Sequence, residues 1–190
     1  MRRAYIYAIG AILIIAAIAG VVIAMHSTKN HTDETSSSAV DRSTAFPQRK
    51  ACSIFTLADA KQVLGDSAKG GDNSTADNES NDLAVSACNY VGDSSSSAAV
   101  SAGTSASLLV RAPKSGAGTT SNQNQFGYLK PADSQHVAGY GDNAYWDSQY
   151  GQLNILKNNT WYILSNGPVT PSSRTLDQAK QLADLLIDKM

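Results

Sequence analysis

The sequence predicts an α+β domain, an antiparallel sheet packed with an N-terminal and a C-terminal helix as an α/β sandwich, held outside a membrane by an N-terminal transmembrane helix. Three observations predict it: a long uncharged apolar run at the start, an alternating hairpin at GQLNILKNNTWYILSN, and capped amphipathic helices at the two ends of the remaining chain. The boundaries follow as a cytoplasmic stub at 1–3, a transmembrane helix at 4–25, a flexible Ser/Thr-rich tether at 26–50 and an extracytoplasmic domain at 51–190.

The apolar run AYIYAIGAILIIAAIAGVVIAM carries no charge. As a helix it measures about 33 Å, enough for a hydrocarbon core of roughly 30 Å, and helical backbone bonding is what lipid demands. Arg2 and Arg3 precede it, and the positive-inside rule keeps that end cytoplasmic. Tyr5 and Tyr7 suit the interface. The competing reading is a cleaved signal peptide with a small-residue site near Ala24, although apolar cores of signal peptides usually run about 7 to 15 residues. Ala16 and Gly20 have the spacing used in helix pairing, but small residues are common in such helices.

The tether HSTKNHTDETSSSAVDRSTAFPQRK has too little apolar surface to offset the cost of ordering. His26 and His31 within it read as solvated residues rather than metal ligands. Over the whole chain 15 basic residues nearly cancel 16 acidic ones, which argues against a nucleic-acid partner.

The first helix follows from CSIFTLADAKQVLG: Thr56 as N-cap with Asp59 three residues on, Leu57, Val63 and Leu64 on one side, and Gly65 as the stop. Residues 66–82 read as an exposed loop. Its acidic and amide residues lack the order of an EF-hand. Strands are expected at 84–91 and 105–112, with Pro113 ending the second. The stretch 114–135 is rich in Gly, Ser, Asn and Gln and offers only Phe126, Tyr128 and Leu129 for a short docked helix.

In the hairpin, Asn158-Asn159 tolerates the positive φ angles of a two-residue type I′ turn. That turn sets Leu156 against Trp161, Ile155 against Tyr162 and Leu153 against Leu164. Leu153, Ile155, Tyr162 and Leu164 then share a core face, while Asn154, Leu156, Trp161 and Ile163 share the other. This mixed second face is where a partner, a ligand or a covering loop is expected, and Trp146, Leu156, Trp161 and Ile163 are its expected binding surface. The final helix starts at Thr175, with Gln178 at capping-box spacing, and presents Leu176, Ala179, Leu182, Ala183, Leu186 and Met190. The shared TL-x-x-AKQ at Thr56 and Thr175 reflects common helix-start chemistry rather than an internal repeat.

Cys52 and Cys88 are the only cysteines, and both follow the apolar run. They are well placed for one disulfide in an oxidising compartment, where closing a loop of about 37 residues stabilises by roughly 4 kcal/mol in the chain-entropy picture.

The segment VAGYGDNAYW has two readings. Asp142 could serve as a general acid or base, but the domain's histidine, His136, stands six residues upstream with no triad or metal spacing, and no G-x-S-x-G or S-x-x-K motif is present. The structural reading is favoured: Gly139 and Gly141 bend the chain, Asp142 bonds backbone amides, and a strand begins at Ala144. No catalytic residue, cofactor or metal ligand is assigned.

In order, CSIFTLADAKQVLG, SACNYV, VAGYGDNAYW, GQLNILKNNTWYILS and AKQLADLLIDKM resemble a family of small exported bacterial proteins of unknown function, many of them actinobacterial lipoproteins. More distantly the chain is similar to the extracellular sensor domains of mycobacterial-type serine/threonine kinases. The resemblance covers about residues 51–190 and implies an α/β sandwich without an assigned catalytic residue. The chain departs from the lipoprotein members in having an apolar helix where they have an acylated cysteine. The function expected is a non-enzymatic binding or sensing module of the cell envelope, for a small ligand, a wall component or another envelope protein. An envelope hydrolase and a structural accessory subunit of a membrane complex are the rival expectations.

Overall fold

The hairpin forms in the register its sequence dictates. Strands β6 (Gln152–Lys157) and β7 (Thr160–Pro168) pair Leu153 with Leu164, Ile155 with Tyr162 and Leu156 with Trp161. Asn158 and Asn159 take φ of 50° and 63°, the left-handed values a type I′ turn needs. The computed structural model describes residues 50–74, 80–92 and 103–190. The stub at 1–3, the apolar run at 4–25 and the tether up to residue 49 lie outside the described residues. Among the described residues no helix is long and apolar enough to cross a membrane.

Around this hairpin lies a seven-stranded antiparallel sheet. It also contains β1 (Lys69–Ser74), β2 (Leu83–Gly92), β3 (Thr104–Pro113), β4 (Gln135–His136) and β5 (Asn143–Asp147), in the spatial order β1-β2-β3-β7-β6-β5-β4. Helices α1 (Ala51–Ile54), α2 (Leu57–Leu64) and α4 (Leu176–Leu186) pack on one face, and α3 (Gly116–Tyr128) packs on the other. The main core joins Cys88, Leu108, Val110, Leu153, Ile155 and Leu164 to Phe55, Ala179, Leu182, Ala183 and Leu186. Burying such side chains contributes about 1.5 to 3 kcal/mol each relative to exposure. Cys52 and Cys88 are bonded, which fastens α1 to β2.

Both helix starts expected from sequence are capping boxes. Thr56 accepts the Asp59 N–H while Asp59 accepts the Thr56 N–H, and Thr175 and Gln178 do the same. The inward side of α2 differs from expectation. Ala60 and Asp59 are buried, Val63 and Leu64 are partly buried, and Leu57 is exposed. The buried carboxylate is tolerated because Lys189 Nζ pairs with it at 2.6 Å, which also ties the C-terminal residues to α2.

The expected loop at 66–82 begins instead as the edge strand β1, irregular between Gly70 and Asn73. Its glycine-rich sequence has no alternation to announce a strand, and main-chain pairing to β2 makes it one. The stretch 114–135 yields a helix of 13 residues, longer than the short piece expected. Three small elements, α1, β4 and a single 3-10 turn at Pro171–Ser173, go beyond those the sequence predicts.

Candidate functional site

The pairings lay out the second sheet face as rows. The first runs Asn143, Leu156, Trp161, Arg111, Val85, and the next runs Tyr145, Asn154, Ile163, Leu109, Ala87. Beyond them come Ser165, Ser107 and Asn89, with Asp147 and Gln152 at the same level. One end is therefore aromatic and charged, the middle is apolar at Ile163, Leu109 and Ala87, and the far row is polar, with hydroxyls and amides beside Asp147.

Helix α3 covers Leu156, Trp161 and part of Arg111 in the first row, together with Tyr145. Its sequence, GAGTTSNQNQFGY, holds few good helix formers, so tertiary contacts must stabilise it. Gly118, Asn122 and Phe126, four residues apart, are the buried stripe. A Cβ at Gly118 would lie 1.9 Å from the Asp82 main-chain oxygen, so only glycine permits this approach. Asn122 Nδ2 donates to the main-chain oxygens of Arg111 at 2.8 Å and Asn159 at 2.9 Å. Phe126 meets Tyr145 and Trp161 edge to face, with centroids 4.9 and 5.8 Å away. Trp161 Nε1 in turn donates to Asn154 Oδ1 at 3.0 Å.

Arg111 borders the uncovered part. Its guanidinium lies 5.2 Å from the Trp161 ring centroid and donates through Nη1 to Gln125 Oε1. Arg111 Nε and Asn122 Oδ1 are buried without an acceptor or donor among the described residues. Burial pushes the Arg111 pKa down, and burial followed by the nearby Asp147 charge pushes the Tyr145 hydroxyl up to about 12. Lys130 Nζ stands 5.9 Å from the Tyr145 ring. Past the helix, Ala87, Ser107, Leu109 and Gln152 are half-buried and Asn89 is exposed.

Of the four residues expected to form one binding surface, Leu156, Trp161 and Ile163 do share this face. Trp161 is buried under Phe126, and the other two are packed beside it. Trp146 belongs elsewhere. Its partner is Leu153, which places it on the opposite face in the main core, 7 % exposed. The even spacing of strand side chains separates it from Tyr145, its neighbour, which is the aromatic residue that faces α3.

The VAGYGDNAYW segment builds a brace for the hairpin tip. Gly139 and Gly141 have φ of 90° and 62°. A Cβ at Gly141 would fall 2.5 Å from the Leu156 oxygen, whereas one at Gly139 meets nothing within 4 Å. Asp142 N–H donates to the Leu156 oxygen at 2.7 Å, and Asp142 Oδ2 accepts the Asn158 N–H at 2.8 Å. His136 stands exposed on β4 opposite Tyr145. Asp147, although buried on the second face, accepts from the Gln149 and Tyr150 N–H groups and so shapes the β5–β6 turn.

Sequence reading did not single out Arg111, Leu109, Ser107 or Asn122. The one available signal was that Arg111 is the only charge in the strand TSASLLVRAP. No family model, curated protein or solved structure matches the chain.

Proposed function

We propose that the chain is a membrane-anchored, extracytoplasmic binding or sensing module of the bacterial cell envelope, acting without catalysis. The observation that carries this reading is the second sheet face, roofed at one end by α3 and left partly open by the described residues over Leu109, Ser107, Gln152 and Asn89. Apolar and hydrogen-bonding groups stand side by side there on rigid strands, the composition from which small-ligand and peptide sites are made. The apolar run at 4–25 and its arginines supply the anchor, with the N-terminus cytoplasmic and the domain outside. The Cys52–Cys88 disulfide suits an oxidising compartment. The exported-protein resemblance points the same way, as does the use of the Asp142 carboxylate to hold the Asn158 amide.

The test is paired. Full-length chain in its membranes is offered solubilised envelope material, alongside a Ser107→Arg form and a Gln181→Arg form that places the same side chain on α4. The reading expects retention by the wild type and by Gln181→Arg, and a loss of at least about tenfold in Ser107→Arg at unchanged melting temperature. Equal retention by all three would place binding elsewhere. Protease added to intact cells should remove the domain while the N-terminus stays protected, and a protected C-terminus would refute the orientation.

A further inference from the structure

Arg111 raises a question of charge. It projects from β3, an interior strand of the sheet, between Trp161 and Val85, with its guanidinium laid on the Trp161 ring. Gln125 Oε1 is the only hydrogen-bond acceptor that the described residues offer it, Nε has none, and no carboxylate among them pairs with it. A guanidinium stays charged in proteins, and a part-buried charge without a counter-ion is costly. Truncating helix α3 would relieve that cost, yet the helix is held over it by Asn122 and Phe126.

On the reading of this face as a binding surface, we propose that Arg111 receives the terminal carboxylate of a peptide that lies across the open rows. A planar guanidinium presents paired N–H groups that match the two oxygens of a carboxylate. Rows two residues apart along a strand are separated by about 7 Å, so Arg111 to Ser107 spans roughly 13 Å, close to the reach of four extended peptide residues. Beside the arginine lie Ala87, Leu109 and Ile163, which suit an apolar side chain. The next row, Ser107 and Asn89, offers donors and acceptors at the distance where a peptide has amides. A fatty acid of that length would satisfy the arginine and the apolar row but would lay methylenes on Ser107 and Asn89, at the cost of their hydrogen bonds to water.

Three probes separate these sources: a mixed library of N-acetylated tetrapeptides with free C-termini, the same library as C-terminal amides, and octanoate. Full-length chain in detergent micelles is followed through the 15N-labelled Arg111 Nε–H resonance and by mass-spectrometric counting of retained peptides. The free-acid library is expected to shift that resonance and to be retained about tenfold or more over the amides, as loss of one charge-assisted hydrogen bond implies. Arg111→Lys, which keeps the charge but not the fork, should lower retention about tenfold, and Arg111→Gln should reduce it to the level of the amides, with the melting temperature recorded for each. Equal retention of acids and amides that is lost in Ser107→Arg overturns the carboxylate assignment and leaves the face a binding face. Octanoate shifting the resonance while the peptide acids do not overturns the peptide. Retention of neither library overturns the inference together with any peptide role for the face.

Discussion

Asn122 Nδ2 lies 2.9 Å from the main-chain oxygen of Asn159, so a side chain of α3 completes the tip of the β6–β7 hairpin. The same amide reaches the Arg111 oxygen on β3. Replacing Asn122 by Ala removes both donors from part-buried acceptors and should cost about 1 to 3 kcal/mol. Because the core between the sheet and α1, α2 and α4 is independent of this helix, the expected result is local detachment. Amide exchange should speed up across 116–128 and Trp161 fluorescence should shift to the red, while exchange at Leu108 and Leu164 stays slow.

Gly141 and Asp142 support the same tip from the other side. Gly141→Ala places a Cβ against the Leu156 oxygen at a positive φ and should lower stability by more than 2 kcal/mol. Gly139→Ala has open space and only the backbone penalty, about 1 to 2 kcal/mol. Asp142→Asn keeps one acceptor for the exposed Asn158 N–H and should cost about 1 kcal/mol or less. Urea melts of the three variants should rank in that order.

Acid sensitivity centres on Asp59. Burial raises its pKa, but the hydrogen bond from Lys189, those from the Thr56 N–H and hydroxyl, and the Lys189 charge outweigh it, so the net shift is downward. A carboxyl depressed in the folded state adds stability that is present above its unfolded pKa, about 3.9, and lost as pH falls through the folded value. Melting temperature should therefore fall below about pH 4. Asp59→Asn should be less stable at neutral pH and should show a flatter acid limb, and an unchanged limb would assign the acid transition to other carboxylates.

Reduction of the Cys52–Cys88 bond opens a loop with a sequence separation of 36. Loss of about 2 to 4 kcal/mol is expected on adding reductant, seen as a lower urea midpoint, and a Cys52→Ser, Cys88→Ala pair should reproduce it. Mass mapping without reductant should recover the two cysteine peptides joined.

What could be read from sequence was what local chemistry encodes. The Asn158-Asn159 turn fixed the hairpin register, the capping boxes marked α2 and α4, and the periodic apolar residues of 176–190 gave the docking side of α4. Helix α3 was obscure because its stability lies in a glycine contact, an asparagine bridging two carbonyls and one phenylalanine, none of which makes a periodic apolar stripe. Strand β1 was obscure because glycines carry no alternation. Arg111 gains its meaning from Trp161 and Gln125, which reach it through sheet pairing and helix docking. Trp146 and Trp161 are both large aromatic residues near the hairpin, and the β5–β6 register is what sets them on opposite faces.

The most direct measurement is photo-cross-linking in intact cells, with a benzophenone side chain placed in turn at Ser107, Leu109 and Gln152 and, on the other side of the domain, at Gln181. A defined cross-linked species of the full-length chain should form from the three sheet positions, should weaken in the Arg111→Lys background, and should be missing from Gln181. The same species from Gln181, or none from any sheet position, would contradict a binding role for this face.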